Sequence, residues 1–190
     1  MSQMLNFDSR RTIVAADYYD GATIFFHWVM AAIVVLTWTL GQCIDYFPKG
    51  APRTAARSVH ILIGATLVLL LVSRLAWRFG WGRRLPPAGS GALARTATYT
   101  HVVLYMLLAT TLALGVANAW IRGDTITGLF KIPSLAAGDD LLKALVEDWH
   151  GTAANVVLAV AGLHAVAGVY HHFRLRDGVL RRMLPNRDRR

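Results

Sequence analysis

Histidine side chains inside apolar stretches are the residues of this chain best suited to chemistry. The last such stretch, Trp149 to His172, contains His150 and His164, 14 positions apart. In an α-helix, about 14 steps return to within about 40° of the same face after about 21 Å. The two imidazoles then span most of a bilayer's hydrocarbon core, which is about 30 Å thick. Because an imidazole is costly in lipid, it normally faces a partner, a cavity or a metal.

The composition indicates one integral membrane domain. Of the 190 residues, 55% are hydrophobic and 16% are charged, which is too apolar for an ordinary soluble domain. Four runs are long enough to cross a bilayer: Ala22 to Ile44, Ser58 to Phe79, Tyr99 to Trp120 and Gly151 to Phe173. The first is too long for a signal-peptide core, so we expect it to be retained. The predicted fold is an all-α, four-transmembrane-helix up-down bundle.

The net charge of +9 is unevenly distributed. If both termini and the connection between helices two and three share one side, that side carries 14 of the 20 Lys and Arg residues. This excess predicts a multi-pass protein with both termini in the cytoplasm. We divide the chain into a cytoplasmic N-terminal segment (1–21), the four-helix domain (22–173) and a basic cytoplasmic tail (174–190). The tail is interpreted as an anchor for the anionic lipid bilayer surface, not as a nucleic-acid site.

The connections between the spans carry further expectations. We predict a short outer loop over Lys49 to Arg57 and an inner connection from Trp77 to Thr98. The outer connection from Ile121 to Asp148 has an amphipathic second half, which predicts a short helix on the membrane surface. Cys43 is the single cysteine, and no C-x-x-C-H motif occurs. These facts exclude an intramolecular disulfide and the usual covalent attachment of haem.

Up-and-down topology sorts the histidines of the spans into two levels. His60 and His150 fall at the outer level, whereas the inner level holds four candidates: His27, His101, His164 and His171. Two imidazoles fill the axial positions of haem iron, and a six-coordinate iron favours electron transfer over oxygen binding. Each level therefore has the ligands for one haem.

The inner level leaves a choice of partners. His164 lies within its span on the face of His150, and His27 is favoured as its partner because it lies about a turn and a half into helix one. His101 is the reserve. Arg74, deep in helix two, is expected either to neutralise a haem propionate or to extend to the inner interface. Gly64, Gly151, Gly162 and Gly168 suit either the approach of a macrocycle or helix packing.

A zinc or copper transport site is the rival use of clustered histidines. Such sites usually recruit carboxylate or thiolate ligands as well. None of the 11 Asp and Glu residues falls within a predicted span, and Cys43 lies at a helix end. A histidine-based metal transporter is therefore the less favoured alternative.

Several segments resemble the bacterial cytochrome b561 family. They are FHW around His27, SVHILIG around His60, THVVLYM around His101, DWHGTAANVVLAVAGLHAVAGVYHHF in helix four and the closing LRRMLP. The similarity runs from Thr23 to Pro185 and implies a bacterial inner-membrane protein that holds two haems b. In the family, helices two and four ligate the outer haem, and helices one and four the inner haem. The resemblance thus implies that His60 and His150 ligate the outer haem and that His27 and His164 ligate the inner haem.

The resemblance is greatest to members that oxidise superoxide. It implies that superoxide donates an electron at the periplasmic side and that membrane ubiquinone accepts electrons near the inner haem. His101 and His171 are expected to contact quinone or deliver protons, or else to form only interfacial hydrogen bonds; His172 is given no role. Positive side chains suited to steering superoxide are Arg53, Arg57, Arg122 and Lys131.

A second electron-transfer hypothesis remains open. The chain would then be a membrane anchor that exchanges electrons between quinol and a separate dehydrogenase or hydrogenase subunit. The outer connection from Ile121 to Asp148 is the sizeable candidate for binding such a partner. The superoxide hypothesis requires no partner subunit.

Overall fold

The computed structural model describes residues 18–86 and 91–185, without the side chain of Leu93. Residues 1–17 of the expected N-terminal segment, residues 87–90 of the inner connection and residues 186–190 of the expected tail lie outside this description.

Four long helices account for most of the described chain. The elements in order are α1 (Gly21–Cys43) with a 3₁₀ turn (Ile44–Tyr46), α2 (Ala51–Gly80), α3 (Ala92–Arg122), β1 (Thr125–Ile126), β2 (Phe130–Lys131), α4 (Asp140–Tyr170), a π-helical turn (His171–Leu175) and a 3₁₀ turn (Leu180–Met183). All four helices are long and apolar enough to cross a membrane. Their apolar side chains are largely exposed, as expected for surfaces that face lipid. The four-helix membrane fold is confirmed.

The most extensive contacts between helices are those of α3 with α4 and of α1 with α2. A small core forms where Met30 of α1 meets Leu67 and Leu71 of α2, with Tyr105 and other side chains of α3 against it. In lipid, helices associate through close packing and interhelical hydrogen bonds rather than through the hydrophobic effect. One such bond joins α1 to α4, since the Trp38 indole N–H donates to Asn155 Oδ1 at 2.9 Å.

Three helices begin earlier than hydropathy predicts. Helix α2 starts at Ala51 instead of Ser58, α3 at Ala92 instead of Tyr99, and α4 at Asp140 instead of Gly151. The expected outer loop is therefore mostly helical, and the expected surface helix is the beginning of α4. The starts of two of these helices have local signals. Pro52 suits the first turn of α2, and the Asp139 carboxylate caps α4 by accepting a hydrogen bond from the Leu142 N–H at 2.9 Å.

Asp20 joins the inner ends of α1 and α2. Its carboxylate accepts hydrogen bonds from the Thr23 N–H at 2.9 Å, the Thr23 hydroxyl at 2.7 Å, the Trp77 indole N–H at 2.9 Å and the Arg83 N–H at 3.0 Å. Burial by itself raises the pKa of Asp20, but these hydrogen bonds lower it to about 2. The last 3₁₀ turn packs beside this junction, where the Met183 carbonyl accepts from the Trp28 indole at 2.7 Å.

The β1–β2 hairpin is held over the outer start of α2 by Ser58. This side chain is 2% exposed. Its hydroxyl oxygen lies 2.8 Å from the carbonyl oxygens of Thr54 and Thr125 and accepts from the Thr127 N–H at 3.2 Å. The outer connection is therefore anchored to the bundle close to His60, two residues further along α2.

Candidate functional site

The outer pair of histidines meets between α2 and α4. The ring centroids of His60 and His150 lie 6.1 Å apart, and the ring planes cross at 85°. A metal–imidazole nitrogen bond is about 2 Å long and the ring centre lies about 1 Å beyond it, so two axial imidazoles on one metal have centroids about 6 Å apart. The spacing therefore fits two axial ligands of a single haem iron.

The inner level brings three histidines together. The ring of His164 lies 6.4 Å from that of His27, at an interplanar angle of 74°, and 5.2 Å from that of His101, at 72°. The first distance fits an axial pair, whereas the second is shorter than two ligands of one iron allow. His101 Nδ1 instead faces the Ala97 carbonyl oxygen at 2.7 Å. The geometry favours His27 with His164 and leaves His101 beside them.

The Nδ1 atoms of the two outer histidines differ in their hydrogen bonding, and this atom determines whether Nε2 is free to bind a metal. His150 Nδ1 lies 3.1 Å from the Thr111 carbonyl oxygen, which leaves Nε2 for a metal. Histidines that ligate metals commonly donate their other N–H to such a carbonyl. The Thr37 backbone lies close to His60, but no hydrogen bond of ordinary geometry reaches His60 Nδ1, which is buried without a partner among the described residues. A hydrogen bond requires alignment as well as proximity.

Arg74 lies within the inner cluster. Its Nε donates to the Tyr105 hydroxyl at 2.8 Å, and its Nη2 is 3.5 Å from His27 Nδ1. The guanidinium also lies over the Tyr105 ring, 5.6 Å from its centroid. The side chain thus points toward α1 and α3, where it is placed to bind a carboxylate of a group held by the inner histidines. Tyr105, which sequence reasoning missed, holds it there.

His171 and His172 lie apart from this cluster. His171 Nδ1 pairs with the Asp177 carboxylate beyond the π-helical turn. Burial by itself raises the pKa of Asp177, but the hydrogen bonds from His171 and the Val179 N–H and the attraction of His171 together lower it below its ordinary value. The His172 ring contacts the Phe173 ring edge-on, with centroids 4.8 Å apart. Of the two expected quinone contacts, the structure brings only His101 to the inner pair.

The expected steering residues do not form one positive patch. Arg53 pairs with Asp45, and both Arg57 and Arg122 pair with Asp124. Arg122 also pairs with Glu147. The exposed Lys131 forms no ion pair with any residue that the structure describes.

A cleft of about 380 Å³ opens at this outer end. It is lined by Arg57, Arg122, Asp124, Asp140, Lys143, Ala144 and Glu147, so three basic and three acidic side chains face it. Burial raises the pKa of Asp124 above its ordinary value even though Arg57 and Arg122 act in the opposite direction. Since the charges balance, the cleft has no net attraction for an anion.

Two glycines that sequence reasoning missed lie against the outer histidines. A Cβ on Gly41 would lie 3.1 Å from His60 Cε1, and one on Gly115 would lie 2.9 Å from His150 Cε1. By contrast, a Cβ on any of the four glycines singled out from the sequence would meet nothing within 4 Å. Those four therefore make no close packing contact with the described helices.

The metal-transporter alternative gains no support from the side chains that the structure describes. Within residues 18–86 and 91–185, no group of three or more His, Cys, Asp or Glu residues is arranged to hold a metal ion. At each level two histidines, His60 with His150 and His27 with His164, have instead a spacing that fits ligation of a haem iron.

Comparisons with known proteins agree with a membrane cytochrome. A family model described as prokaryotic cytochrome b561 matches residues 18–186. Cytochrome b561 homolog 1 of Escherichia coli K12 is 28% identical over 173 residues, which cover 89% of this chain and 98% of that protein. The probable superoxide oxidase CybB of Yersinia pestis is 26% identical, with 89% and 97% covered. Cytochrome b562 of Cereibacter sphaeroides is 26% identical, with 87% and 94% covered.

Four apolar helices with paired histidines at two levels define a multi-pass membrane cytochrome of the b type, an electron-transfer protein whose cofactor is haem b. The chain belongs to the prokaryotic cytochrome b561 family.

Proposed function

We propose that this protein is a dihaem electron carrier of the bacterial inner membrane that passes electrons from periplasmic superoxide to ubiquinone. His60 and His150 would hold the outer haem b, and His27 and His164 the inner one. Arg74 would bind a propionate of the inner haem. Haem b, when bound, supplies one-electron chemistry at iron. The proposal places both termini in the cytoplasm, as the distribution of Lys and Arg predicts.

The observation that carries the proposal is the spacing of the two histidine pairs. Their ring centroids lie 6.1 and 6.4 Å apart, and both pairs fit axial ligation. Both pairs include α4, where about 14 residues of helix separate the two levels by about 21 Å. A route for electrons from one membrane surface toward the other follows from this arrangement.

Support for superoxide as the donor comes from the relative named as a probable superoxide oxidase. At the outer end, Lys131 is the steering candidate without an ion pair among the described residues. Arg53, Arg57 and Arg122 are held by carboxylates, so their attraction for an anion is largely cancelled. We therefore expect steering of superoxide by charge to be weak in this protein.

Quinone chemistry is assigned to the inner end, where protons must accompany electrons. The His101 ring lies 5.2 Å from that of His164, so it can contact a quinone beside the inner pair. The His171–Asp177 pair lies beyond the end of α4, near the expected cytoplasmic surface. We assign it to proton supply because His171 lies about two helical turns from His164 toward that surface.

The membrane-anchor hypothesis is the second candidate. It is favoured by large apolar side chains that are exposed on the outer connection and at the start of α4, among them Leu129, Leu135 and Leu141. A dehydrogenase or hydrogenase subunit bound there would cover them. Purification of the chain with a stoichiometric redox subunit would support this function over the first.

The proposed function is tested by stopped-flow spectroscopy of the purified protein. Pulses of superoxide should reduce the haems, and ubiquinone should reoxidise them. His101→Ala should slow reoxidation and leave reduction by superoxide unchanged. Tyr99→Phe, two residues before His101 at an exposed position, serves as the control. Haems that dithionite reduces but superoxide does not would contradict the assignment of the donor.

A further inference from the structure

Gly41 of α1 and Gly115 of α3 leave no space for a side chain beside the outer histidines. Two carbon atoms are at their optimal separation at about 3.5–4.0 Å. A Cβ at Gly41 would lie 3.1 Å from Cε1 and 3.5 Å from Nδ1 of His60. A Cβ at Gly115 would lie 2.9 Å from Cε1 and 3.4 Å from Nδ1 of His150. Any side chain at either position therefore displaces a ring.

The same glycines expose one helical carbonyl each. In an α-helix the Cα–Cβ bond tilts toward the N-terminus, so the side chain of residue i+4 lies over the carbonyl of residue i. Gly115 is four residues after Thr111, whose carbonyl oxygen lies 3.1 Å from His150 Nδ1. Gly41 is four residues after Thr37, whose backbone lies beside His60. Gly115 therefore lets the His150 ring reach the Thr111 carbonyl, whereas Gly41 lets the His60 ring lie close to the backbone of α1.

The arrangement recurs in the sequence. TWTLG runs from Thr37 to Gly41, and TLALG runs from Thr111 to Gly115, so both follow the pattern T-x-x-L-G. The two copies lie on α1 and α3, which provide neither histidine of the outer pair. No described glycine has His27 or His164 among the nearest neighbours of an added Cβ. Among the described residues, close contact between a glycine and a histidine ring thus occurs only at the outer level.

We propose that Gly41 and Gly115 are positioning residues for the outer haem, because they set the planes of the His60 and His150 rings that would hold it. Gly115 gives His150 access to the Thr111 carbonyl, and Gly41 gives the His60 ring its place against α1. The inference rests on the proposed ligation by His60 and His150. The ring planes that these contacts maintain cross at 85°. Hydrogen bonding of Nδ1–H to a carbonyl also makes an imidazole a stronger donor to the metal.

Gly115→Ala should change the outer haem alone. Loss of such a partner to a ligating histidine lowers metal affinity by about 10- to 100-fold, and we expect a loss of that order in haem retention at the outer site. The midpoint potential of the retained outer haem should rise, since a less basic ligand stabilises ferric iron less. Its low-field electron paramagnetic resonance signal, typical of crossed imidazole planes in ferric low-spin haem, should shift. Gly41→Ala should act in the same direction but more weakly.

Gly80→Ala is the matched control. Gly80 is the last residue of α2, the helix that carries His60, and an added Cβ would meet nothing within 4 Å. This variant should keep both haems and both spectra. The inner haem serves as an internal control in every sample, because a general folding defect lowers both signals together.

The outcomes separate the two proposals. If the wild-type protein holds no outer haem that depends on His60, the proposed ligation is wrong. If that haem is present and Gly115→Ala and Gly41→Ala leave its retention, potential and resonance signal unchanged, the positioning role is wrong. Equal loss of both haems from both variants would also overturn it.

Discussion

At the scale of single residues, the imidazoles are oriented by groups on neighbouring helices. The Thr111 carbonyl faces His150, and Arg74 reaches His27 while Tyr105 accepts its second hydrogen bond. The spacing of histidines along the helices predicts the meeting of His60 with His150 and of His27 and His101 with His164, because helical rise converts residue number into depth. His171, which the spacing assigns to the inner level too, lies apart from that cluster. Ring orientation was not predictable, since it depends on atoms of helices whose rotation hydropathy does not specify. Gly41 and Gly115 were missed for this reason.

Asp20 gives a prediction about acid stability. Its pKa is lowered from 3.8 to about 2 in the folded protein, so the stability that its carboxylate contributes is present above about pH 4 and is lost as the pH falls toward about 2. Asp20→Ala should lower the free energy of unfolding by about 0.5–2 kcal/mol, as expected for loss of a helix N-cap. Asp20→Asn should retain most of the stability that the helix cap provides, but the free energy of unfolding should depend less on pH in this range.

Thermal unfolding in detergent between about pH 2 and pH 5 measures this effect. Asp148→Asn is the matched control, because Asp148 is exposed and forms no ion pair with the described residues. An Asp20→Asn profile as steep as that of the wild-type protein would show that the carboxylate does not contribute as described.

At the scale of elements, hydropathy located the middle of every helix and misplaced several ends. Apolar runs identify the parts in contact with lipid, and all four were found. The outer turns of α2 and α4 and the first turns of α3 contain polar residues, so a hydropathy window does not detect them. The Asp139 cap marks the beginning of α4, and Pro52 suits the first turn of α2.

The contact between α1 and α4 gives a prediction about helix packing. Trp38 and Gln42 both donate to Asn155 Oδ1, at 2.9 and 3.4 Å. Interhelical hydrogen bonds in membranes contribute about 0.6 kcal/mol on average and at most about 1.7 kcal/mol. A double-mutant cycle of Trp38→Phe and Asn155→Leu should therefore give a coupling energy in this range, measured by unfolding in detergent. A coupling energy near zero would mean that the bond does not stabilise the bundle.

At the scale of the whole molecule, the distribution of charge predicts the orientation of the protein in the membrane. The inner ends of the helices, with the segment after α4, carry most of the arginines, and the last 3₁₀ turn packs against α1 near Trp28. The outer ends carry the paired charges around Asp124 and the hairpin. This asymmetry predicts cytoplasmic termini and a periplasmic hairpin.

Single cysteines introduced in a Cys43→Ser background test this orientation. Leu129 at the hairpin is 92% exposed, so Leu129→Cys should react in intact cells with a maleimide that cannot cross the membrane. Arg181→Cys, in the last 3₁₀ turn, should react only after the cells are permeabilised. The opposite pattern of labelling would reverse the assigned orientation and place the His27–His164 pair at the periplasmic side.

The most direct test of the account is the ratio of haem to protein, taken from reduced-minus-oxidised spectra of purified single-histidine variants. The wild-type protein should hold two haems b per chain. His60→Ala and His27→Ala should each hold one, with the remaining haem spectrally distinct in the two variants. His101→Ala should hold two, because we assign the inner haem to His27 and His164. Two haems retained in both His60→Ala and His27→Ala, or one haem in the wild-type protein, would contradict the account.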